Sequence, residues 1–295
     1  MTGQARPRRS VLYMPGSNAR ALEKGRELSA DGLILDLEDA VAPDAKETAR
    51  RQVREALAAG GYGRRELVVR VNGLDTPWGA DDVRAASKFG AHALLLPKVE
   101  SEETVRRTEA IMEEWGAPDG LAIWCMIETP QGVLKAHEVA TSSPRVQCLV
   151  MGTSDLAKDL GCAHTRDRLP LLASLGFCLL AARGARVAIL DGVHLDLADD
   201  EGFEHACRQG KEMGFDGKTL IHPKTIAAAN RVFQPSADEI AWSRKVIAAH
   251  AEAERQGKGV AVVDGKLVES LHVQAAKRLV ALAQSIAAAE PGTAA

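Results

Sequence analysis

Short apolar segments recur along the chain, and longer segments with helical character separate most of them. Eight of these segments are rich in Val, Ile and Leu: Val11–Met14, Leu33–Leu37, Leu67–Val71, Ala93–Leu96, Leu121–Ile127, Val146–Met151, Val187–Leu190 and Thr219–Ile221. Short, wholly apolar strands that alternate with helices are typical of a parallel sheet buried on both faces. Eight such repeats predict an α/β fold, a closed (β/α)8 or TIM barrel.

Helix signals lie between these strands. The pattern predicts helices over Asp44–Ala59, Trp78–Phe89, Glu102–Trp115 and Leu169–Ala182, with start signals at Asp44-x-x-Glu47 and Ser101-x-x-Thr104. An open doubly wound sheet is the alternative fold. No Gly-x-Gly-x-x-Gly follows any strand, and no Walker Gly-Lys-Ser/Thr is present, so the sequence disfavours a nucleotide-binding sheet.

About seventy residues follow the eighth strand. We expect a flexible N-terminal tail over 1–9, the barrel over 10–235, a C-terminal lid and oligomer arm over 236–290, and disorder over 291–295. Ser236-x-x-Glu239 is a capping box for a helix to about Arg255, Asp264-Gly265 has the chemistry of a hairpin turn, and Leu271–Ala288 forms a last helix. This segment looks too short and too weakly apolar to hold its own core.

Composition narrows the class of protein. The chain has 295 residues, of which 46% are hydrophobic and 26% charged, and its net charge is −3, as in soluble globular proteins. The balanced charge excludes nucleic acid as an expected partner, since the one basic cluster, Arg6, Arg8 and Arg9, lies in the predicted tail. No apolar run is long enough for a membrane span or typical of a signal peptide. Five scattered cysteines indicate reduced thiols and a cytoplasmic protein.

Polar residues follow the predicted strands at their carboxyl ends, which open on one face of a parallel barrel. Glu128 and Asp155 are the most informative of them, because each closes an apolar strand. A carboxylate in that place is costly unless it faces water, a cation or a substrate. Two such carboxylates can share one hard cation that keeps waters and binds substrate oxygens. Alternatively, both merely cap the helices that follow.

Seven motifs carry a resemblance to a known family. They are Val11-Leu-Tyr-Met-Pro-Gly-Ser, Leu35-Asp-Leu-Glu-Asp-Ala-Val-Ala, Val69-Arg-Val-Asn-Gly, Leu96-Pro-Lys-Val-Glu, Met126-Ile-Glu-Thr-Pro-Gln-Gly, Gly152-Thr-Ser-Asp-Leu and Gly214-Phe-Asp-Gly-Lys-Thr-Leu-Ile-His-Pro. Because these motifs occur in the same order over about residues 9 to 285, the chain resembles the citrate lyase β-subunit family of the aldolase/citrate lyase superfamily. Malyl-CoA lyase and citramalyl-CoA lyase are relatives in that superfamily.

The resemblance implies a (β/α)8 barrel that binds Mg²⁺, for which Mn²⁺ can substitute, and that acts on an acyl-CoA and a 2-oxo acid. It also implies a homo-oligomer, a trimer or hexamer. By position, Glu128 and Asp155 match the two metal ligands, and Arg70 matches the arginine that holds the substrate. Glu38 and Asp39 match acids near the metal that act through its waters.

Further positions match the CoA pocket of the family. Tyr13, Arg20 and Lys24 match positions that line this pocket, and Ile221-His222 match a later segment that contacts CoA. Without the resemblance, Arg20 and Lys24 would be interpreted as a solvated helix face.

The resemblance also implies a proton-transfer residue near the C-terminus. In relatives an aspartate of this segment reaches the active site of a neighbouring subunit, and that slot here holds Glu269. Glu269 is therefore the predicted acid or base, with Asp264 as its competitor. Lys98 offers a different mechanism, a Schiff base with a 2-oxo acid, which a metal pair would make redundant.

The leading hypothesis is a Mg²⁺-dependent acyl-CoA lyase, a carbon–carbon lyase of the oxo-acid-lyase type. It would cleave, or form by Claisen-type condensation, a 3-hydroxyacyl-CoA such as malyl-CoA or citramalyl-CoA. The products would be acetyl-CoA or another acyl-CoA and a 2-oxo acid such as glyoxylate or pyruvate. The alternatives are a malyl-CoA thioesterase, or a citrate lyase β subunit that converts citryl-ACP to oxaloacetate. A non-catalytic binding protein is disfavoured because Glu128, Asp155 and Arg70 are all present.

Overall fold

The computed structural model describes residues 6–289. The described chain divides into two compact units, a larger one over Arg8–Phe233 and a smaller one that holds residues 234–289 together with residues 6 and 7. The expected disorder over 291–295 and positions 1–5 of the expected tail lie outside the described residues. No helix of the described chain is long and apolar enough to cross a membrane.

The larger unit is a closed barrel of eight parallel strands in sequential order. The strands are β1 (Ser10–Pro15), β2 (Gly32–Asp36), β3 (Glu66–Arg70), β4 (Ala93–Leu96), β5 (Ala122–Ile127), β6 (Val146–Met151), β7 (Ala188–Asp191) and β8 (Gly217–Leu220). Pairing of β8 with β1, with Lys218 opposite Ser10, closes the ring. The predicted (β/α)8 barrel is confirmed, because each of the eight apolar segments overlaps one strand of the closed barrel.

Helices of the barrel unit cover the outside of the sheet. They are α1 (Ala19–Lys24), α2 (Lys46–Ala59), α3 (Gly79–Ala86), α4 (Glu102–Glu114), α5 (Pro130–Leu134), α6 (Ala136–Thr141), α7 (Thr153–Leu160), α8 (Leu172–Ala185), α9 (Asp200–Met213) and α10 (Ile226–Phe233). Short 3₁₀ turns over Pro43–Ala45, Leu169–Leu171 and Pro223–Thr225 precede α2, α8 and α10. The turn at Pro43 delays α2, so Asp44 is not its cap as predicted.

Two apolar layers hold the barrel together. Residues such as Leu12, Leu33 and Leu35 point outward and pack against the helices, while Val11, Ile34 and Trp124 fill the interior. Strand residues alternate between the two faces, so a wholly apolar strand can serve both layers at once.

Two arginines occupy the end of the barrel where the strands begin. Arg8 donates from Nε and Nη2 to Glu66, at 2.6 and 2.8 Å, and its guanidinium lies 4.9 Å from the centre of the Trp124 ring. Arg9 pairs with Asp31 at 2.9 Å and is buried. The predicted flexible tail over 1–9 is therefore wrong for Arg8 and Arg9, because carboxylates at the starts of β2 and β3 hold them.

The smaller unit contains α11 (Ala237–Arg255), the hairpin strands β9 (Ala261–Val263) and β10 (Lys266–Val268), and α12 (Ser270–Ala289). The capping box of Ser236 and Glu239 is present, and Asp264 and Gly265 form the turn with φ of 48° and 77°. Both local predictions are confirmed. The expectation that this segment cannot hold a core is wrong, since it buries its own apolar cluster, which includes Val246, Val263, Val268 and Val273.

Candidate active site

A cavity of about 350 Å³ opens at the carboxyl ends of the barrel strands. It brings together six residues that the sequence singled out: Tyr13, Asp39, Arg70, Glu128, Asp155 and Ile221. They come from the ends of β1, β3 and β5 and from the segments that follow β2, β6 and β8. The topology of the barrel thus assembles residues that are distant in sequence on one face.

Arg70, the last residue of β3, is held by a carboxylate that the sequence analysis did not single out. Its Nε and Nη2 both donate to Asp36 at 2.6 Å, in a two-point contact between neighbouring strands. The guanidinium lies 4.9 Å from the centre of the Tyr13 ring. Burial alone lowers the pKa of Arg70, but the hydrogen bonds and charge of Asp36 more than offset it and raise that pKa above its ordinary value. Arg70 is therefore a permanent, oriented cation.

Glu38 and Asp39 lie beside the remaining edge of that guanidinium. Nη1 of Arg70 is 2.7 Å from Oε2 of Glu38, without the alignment of a hydrogen bond, and 3.7 Å from Oδ2 of Asp39. Burial raises the pKa of Glu38 to about 7, and the charge of Arg70 only partly opposes it. A carboxyl group with this pKa can exchange a proton at neutral pH.

Glu128, at the end of β5, is almost wholly buried. Its Oε1 accepts a hydrogen bond from the backbone N–H of Lys98 at 2.8 Å, and Lys98 adopts a φ of 47° at that point. Burial raises the pKa of Glu128 to about 7, with further increases from the charges of Glu38 and Asp155. A Cβ added to Gly152 would lie 2.5 Å from Oε2 of Glu128, so glycine is what leaves room for this carboxylate.

Asp155 lies in the first turn of α7 and faces the same cavity. Nζ of Lys98 is 3.8 Å from its Oδ2. Burial lowers the pKa of Lys98, but Asp155 and other carboxylates raise it above the ordinary value. A Schiff-base lysine needs the opposite shift, since the neutral amine is the nucleophile. The raised pKa of Lys98 and its contact with Asp155 therefore disfavour the Schiff-base mechanism.

The charges around the cavity suit one divalent cation. Five carboxylates, Asp36, Glu38, Asp39, Glu128 and Asp155, lie in or beside the cavity with two cations, Arg70 and Lys98, which leaves three negative charges when all are ionised. No group of three or more His, Cys, Asp and Glu side chains in the described part of the chain can hold a metal by itself. Glu128 and Asp155 fit a cation such as Mg²⁺, which takes few protein ligands and completes its shell with water and substrate oxygens.

A second cavity, of about 470 Å³, lies beside the first on the side of β3 and β4. Glu38, Lys98 and Thr129 line it, together with the segments 73–76 and 100–104. It is polar and carries charges of both signs. Glu38 thus lines this second cavity and not the first, although its carboxylate lies beside Arg70, which lines the first.

The other predicted residues lie outside these cavities. Arg20 and Lys24 are exposed on α1, and neither has an ion-pair partner among the described residues. His222 is exposed and caps the 3₁₀ turn that follows it by accepting from the backbone N–H of Lys224. Their predicted contacts with CoA stay predictions.

Glu269 and Asp264 belong to the smaller unit. Glu269 is exposed directly before α12, and its backbone N–H donates to Nδ1 of His272 at 3.1 Å. The side chain of Asp264 pairs with Lys245 at 3.0 Å, as expected for a residue with a local role in the hairpin turn. The proton-transfer role of Glu269 stays a prediction.

Asp191 marks the end of β7 but does not line either cavity. It is fully buried and pairs with Lys218 at 2.8 Å and with Arg168 at 2.7 Å. Burial alone raises the pKa of Asp191, and these two cations lower it below its ordinary value. Asp191 is thus a structural acid between β7 and β8.

Comparison with known proteins places this site in a family. The family model of the HpcH/HpaI aldolase/citrate lyase family matches residues 9–223, which include all eight barrel strands and the residues that line both cavities. The chain belongs to this family. Enzymes with this barrel generally place their active sites at the end where the strands finish, which is where the first cavity lies.

Two kinds of relative are similar to this chain over nearly its full length. A (3S)-malyl-CoA thioesterase of Cereibacter sphaeroides is 51% identical over 288 residues, which cover 98% of this chain and 99% of that protein. The citrate lyase subunit beta of Leuconostoc mesenteroides subsp. cremoris is 37% identical, over 95% of this chain and 94% of that protein.

Among solved structures, the protein CitE of Mycobacterium tuberculosis in complex with magnesium, acetoacetate and coenzyme A has a TM-score of 0.73 and 28% identity. The match covers 96% of this chain and 100% of that one. RipC of Yersinia pestis has a TM-score of 0.68 and 28% identity, over 81% of this chain and all of that one. The family resemblance expected from the motifs is confirmed.

Proposed function

We propose that this protein is a Mg²⁺-dependent thioesterase that hydrolyses a CoA ester of the malyl-CoA type to free CoA and a hydroxy acid. The observation that carries the proposal is the 51% identity, from end to end, with a (3S)-malyl-CoA thioesterase. This shifts the preference from the lyase, which was the leading hypothesis, to hydrolysis at the same site. The cavity at the barrel end supplies carboxylates that would hold a metal and the guanidinium of Arg70, which such a reaction needs.

Glu128 and Asp155 are the residues that would hold the metal, with Mn²⁺ as a possible substitute for Mg²⁺. A divalent cation between them would polarise the substrate oxygens it binds, as a Lewis acid. The buried carboxyl of Glu128 has a pKa of about 7, so binding of the cation would favour its ionised form. The magnesium in the related CitE structure supports this assignment.

Arg70 and Glu38 have complementary roles in this proposal. Hydrolysis develops negative charge on the thioester oxygen, and an oriented guanidinium stabilises such charge in the transition state. Asp36 occupies Nε and Nη2 of Arg70, so the Nη1 edge is the one that meets the substrate. Glu38, beside that edge and with a pKa of about 7, accepts the proton of the attacking water, and Asp39 keeps the local charge negative.

A lyase that splits the C–C bond of a 3-hydroxyacyl-CoA is the second candidate. Similarity to citrate lyase β subunits at 37% identity favours it. In that reaction Glu269 would move the proton at the acyl α-carbon, in a homo-oligomer whose smaller unit closes on a neighbouring subunit. Tyr13, Arg20, Lys24, and the Ile221-His222 segment would hold CoA in either reaction. A subunit acting on citryl-ACP is the third candidate.

Product analysis tests the proposal. Purified protein is incubated with malyl-CoA and Mg²⁺, and the products are separated by chromatography. Malate with free CoA supports hydrolysis, whereas glyoxylate with acetyl-CoA supports the lyase and overturns the proposal. Asp155→Asn should abolish the reaction, while Asp159→Asn, on the same helix one turn later and exposed, should leave it unchanged.

A further inference from the structure

A buried lysine lies behind the segment that carries the acids of the site. Lys46 is the first residue of α2, and its Nζ donates to the backbone oxygens of Leu37 and Glu38, each at 2.8 Å, and to Oδ1 of Asn72 at 2.7 Å. A lysine ammonium has three donors, so these contacts use all of them. Burial lowers the pKa of Lys46, and the charges of Asp36 and Glu38 oppose that shift.

The oxygens that Lys46 binds belong to the turn between β2 and α2. On the barrel side, Asp36 accepts from the backbone N–H of Glu38 at 2.9 Å and of Ala40 at 3.1 Å. On the helix side, Lys46 binds the carbonyls of residues 37 and 38. The turn is thus held from both sides, by the same Asp36 that orients Arg70 and by Lys46.

The residues next to Lys46 are themselves held by hydrogen bonds. Asn72, which receives one of its hydrogen bonds, donates to the carbonyl of Leu37 at 2.9 Å, and its backbone N–H donates to Asp82 at 3.0 Å. Asp82 is fully buried and accepts from Arg50 at 2.7 Å. Nζ of Lys46 also lies 5.3 Å from the centre of the Trp78 ring. Loss of Lys46 should therefore free the turn, while the hydrogen bonds among Asn72, Asp82 and Arg50 remain.

We infer that Lys46 is a positioning residue, which fixes the Leu37–Asp39 turn so that Glu38 and Asp39 stay against Arg70. Its ammonium acts through backbone carbonyls and does not touch the cavity, so it aligns the acids without taking part in proton transfer. The inference about turnover rests on the proposed function, whereas the inference about the turn itself does not.

Lys46→Met and Arg50→Met form a matched pair. Both residues are cations on one face of α2, one helical turn apart, and both bind the same network, Lys46 at the turn and Arg50 at Asp82. Lys46→Met should lower kcat about 10- to 100-fold, the usual effect of removing a residue that orients a catalytic group, with KM changed less than about threefold. Arg50→Met should lose about as much thermal stability as Lys46→Met, but its kcat should stay within about twofold of the wild-type value.

Hydrogen exchange on the full-length protein supplies a readout that does not depend on activity. Amides of residues 37–41 should exchange faster in Lys46→Met than in Arg50→Met. If Lys46→Met does not fold, Lys46→Gln, which keeps a donor, replaces it, and partial retention of kcat is expected. The inference would be overturned if a folded Lys46 variant kept the wild-type kcat and the wild-type amide exchange of residues 37–41. It would also be overturned if Arg50→Met lost as much kcat as Lys46→Met. A wild-type protein that releases no CoA refutes the proposed function, and the exchange measurement still decides the role of Lys46.

Discussion

Arg70→Lys keeps the positive charge of the site but removes the planar guanidinium. The contacts of Arg70 determine how much stability and turnover this change should remove. Arg70 makes two N–H···O contacts to Asp36, both at 2.6 Å, and a third nitrogen faces Glu38 at 2.7 Å. A lysine ammonium reaches one point in place of this plane. The variant thus loses orientation, although its charge remains.

The expected losses are separate for folding and for turnover. A hydrogen bond to a charged group contributes about 1.5–3 kcal/mol, so losing one of the two bonds to Asp36 should lower the unfolding free energy by about that amount. Loss of one oriented donor to transition-state charge lowers kcat by roughly 10²–10³-fold. KM should change much less, because the charge that Arg70 meets grows only in the transition state.

Arg8→Lys is the matched control for this experiment. Arg8 binds Glu66 through the same two nitrogens, at 2.6 and 2.8 Å, and lies 4.9 Å from an aromatic ring centre, as Arg70 does. It sits at the opposite end of β3, because Glu66 begins the strand that Arg70 ends. Urea unfolding followed by circular dichroism should show similar losses in both variants, and CoA release should fall only in Arg70→Lys. Equal kcat values in the two variants would refute the reasoning.

Four further outcomes follow from the same site. Glu128→Gln and Asp155→Asn should each abolish Mg²⁺-dependent turnover in a folded protein, and near-normal turnover at ordinary Mg²⁺ would contradict the two-carboxylate site. Gly152→Ala should weaken Mg²⁺ binding about 10- to 100-fold in a titration, because the methyl group takes the space of the Glu128 carboxylate. The pKa of Glu128 rises from 4.5 to about 7 on folding, so the contribution of this group to the stability of the metal-free protein should be full below pH 4.5 and be lost as the pH rises through 7, relative to Glu128→Gln. Melting temperatures with EDTA should show this fall, and added Mg²⁺ at pH 8 should reverse it. Glu269→Gln should lower any lyase turnover by about 10²–10⁴-fold while Asp264→Asn affects mainly the hairpin, and full lyase activity in Glu269→Gln would remove that residue from the mechanism.

The barrel could be predicted from the sequence because most of its strands are mainly apolar. A strand buried on both faces leaves an unbroken run such as Ala122–Ile127, and eight mainly apolar runs indicate the topology. Helix starts were harder, since they depend on local geometry. Pro43 begins a 3₁₀ turn, so α2 starts at Lys46 and not at Asp44.

Within the site, residues at strand ends could be predicted and their partners could not. Glu128 and Asp155 follow apolar runs, so their exposure to one cavity was foreseeable. Asp36 lies inside a quoted motif, but its contact with Arg70 depends on the register of β2 and β3. Lys46 has the sequence context of a solvated helix start, and only the fold places three oxygen acceptors around its ammonium.

The arginines at the amino ends of the strands limit how far the chain can be shortened. Arg8 covers the indole of Trp124, which fills the interior of the barrel, and Arg9 closes over Asp31 beside it. A deletion that extends through residue 9 would expose Trp124 to water at the end of the barrel where the strands begin. A trim that removes Arg8 or Arg9 therefore acts as a core mutation.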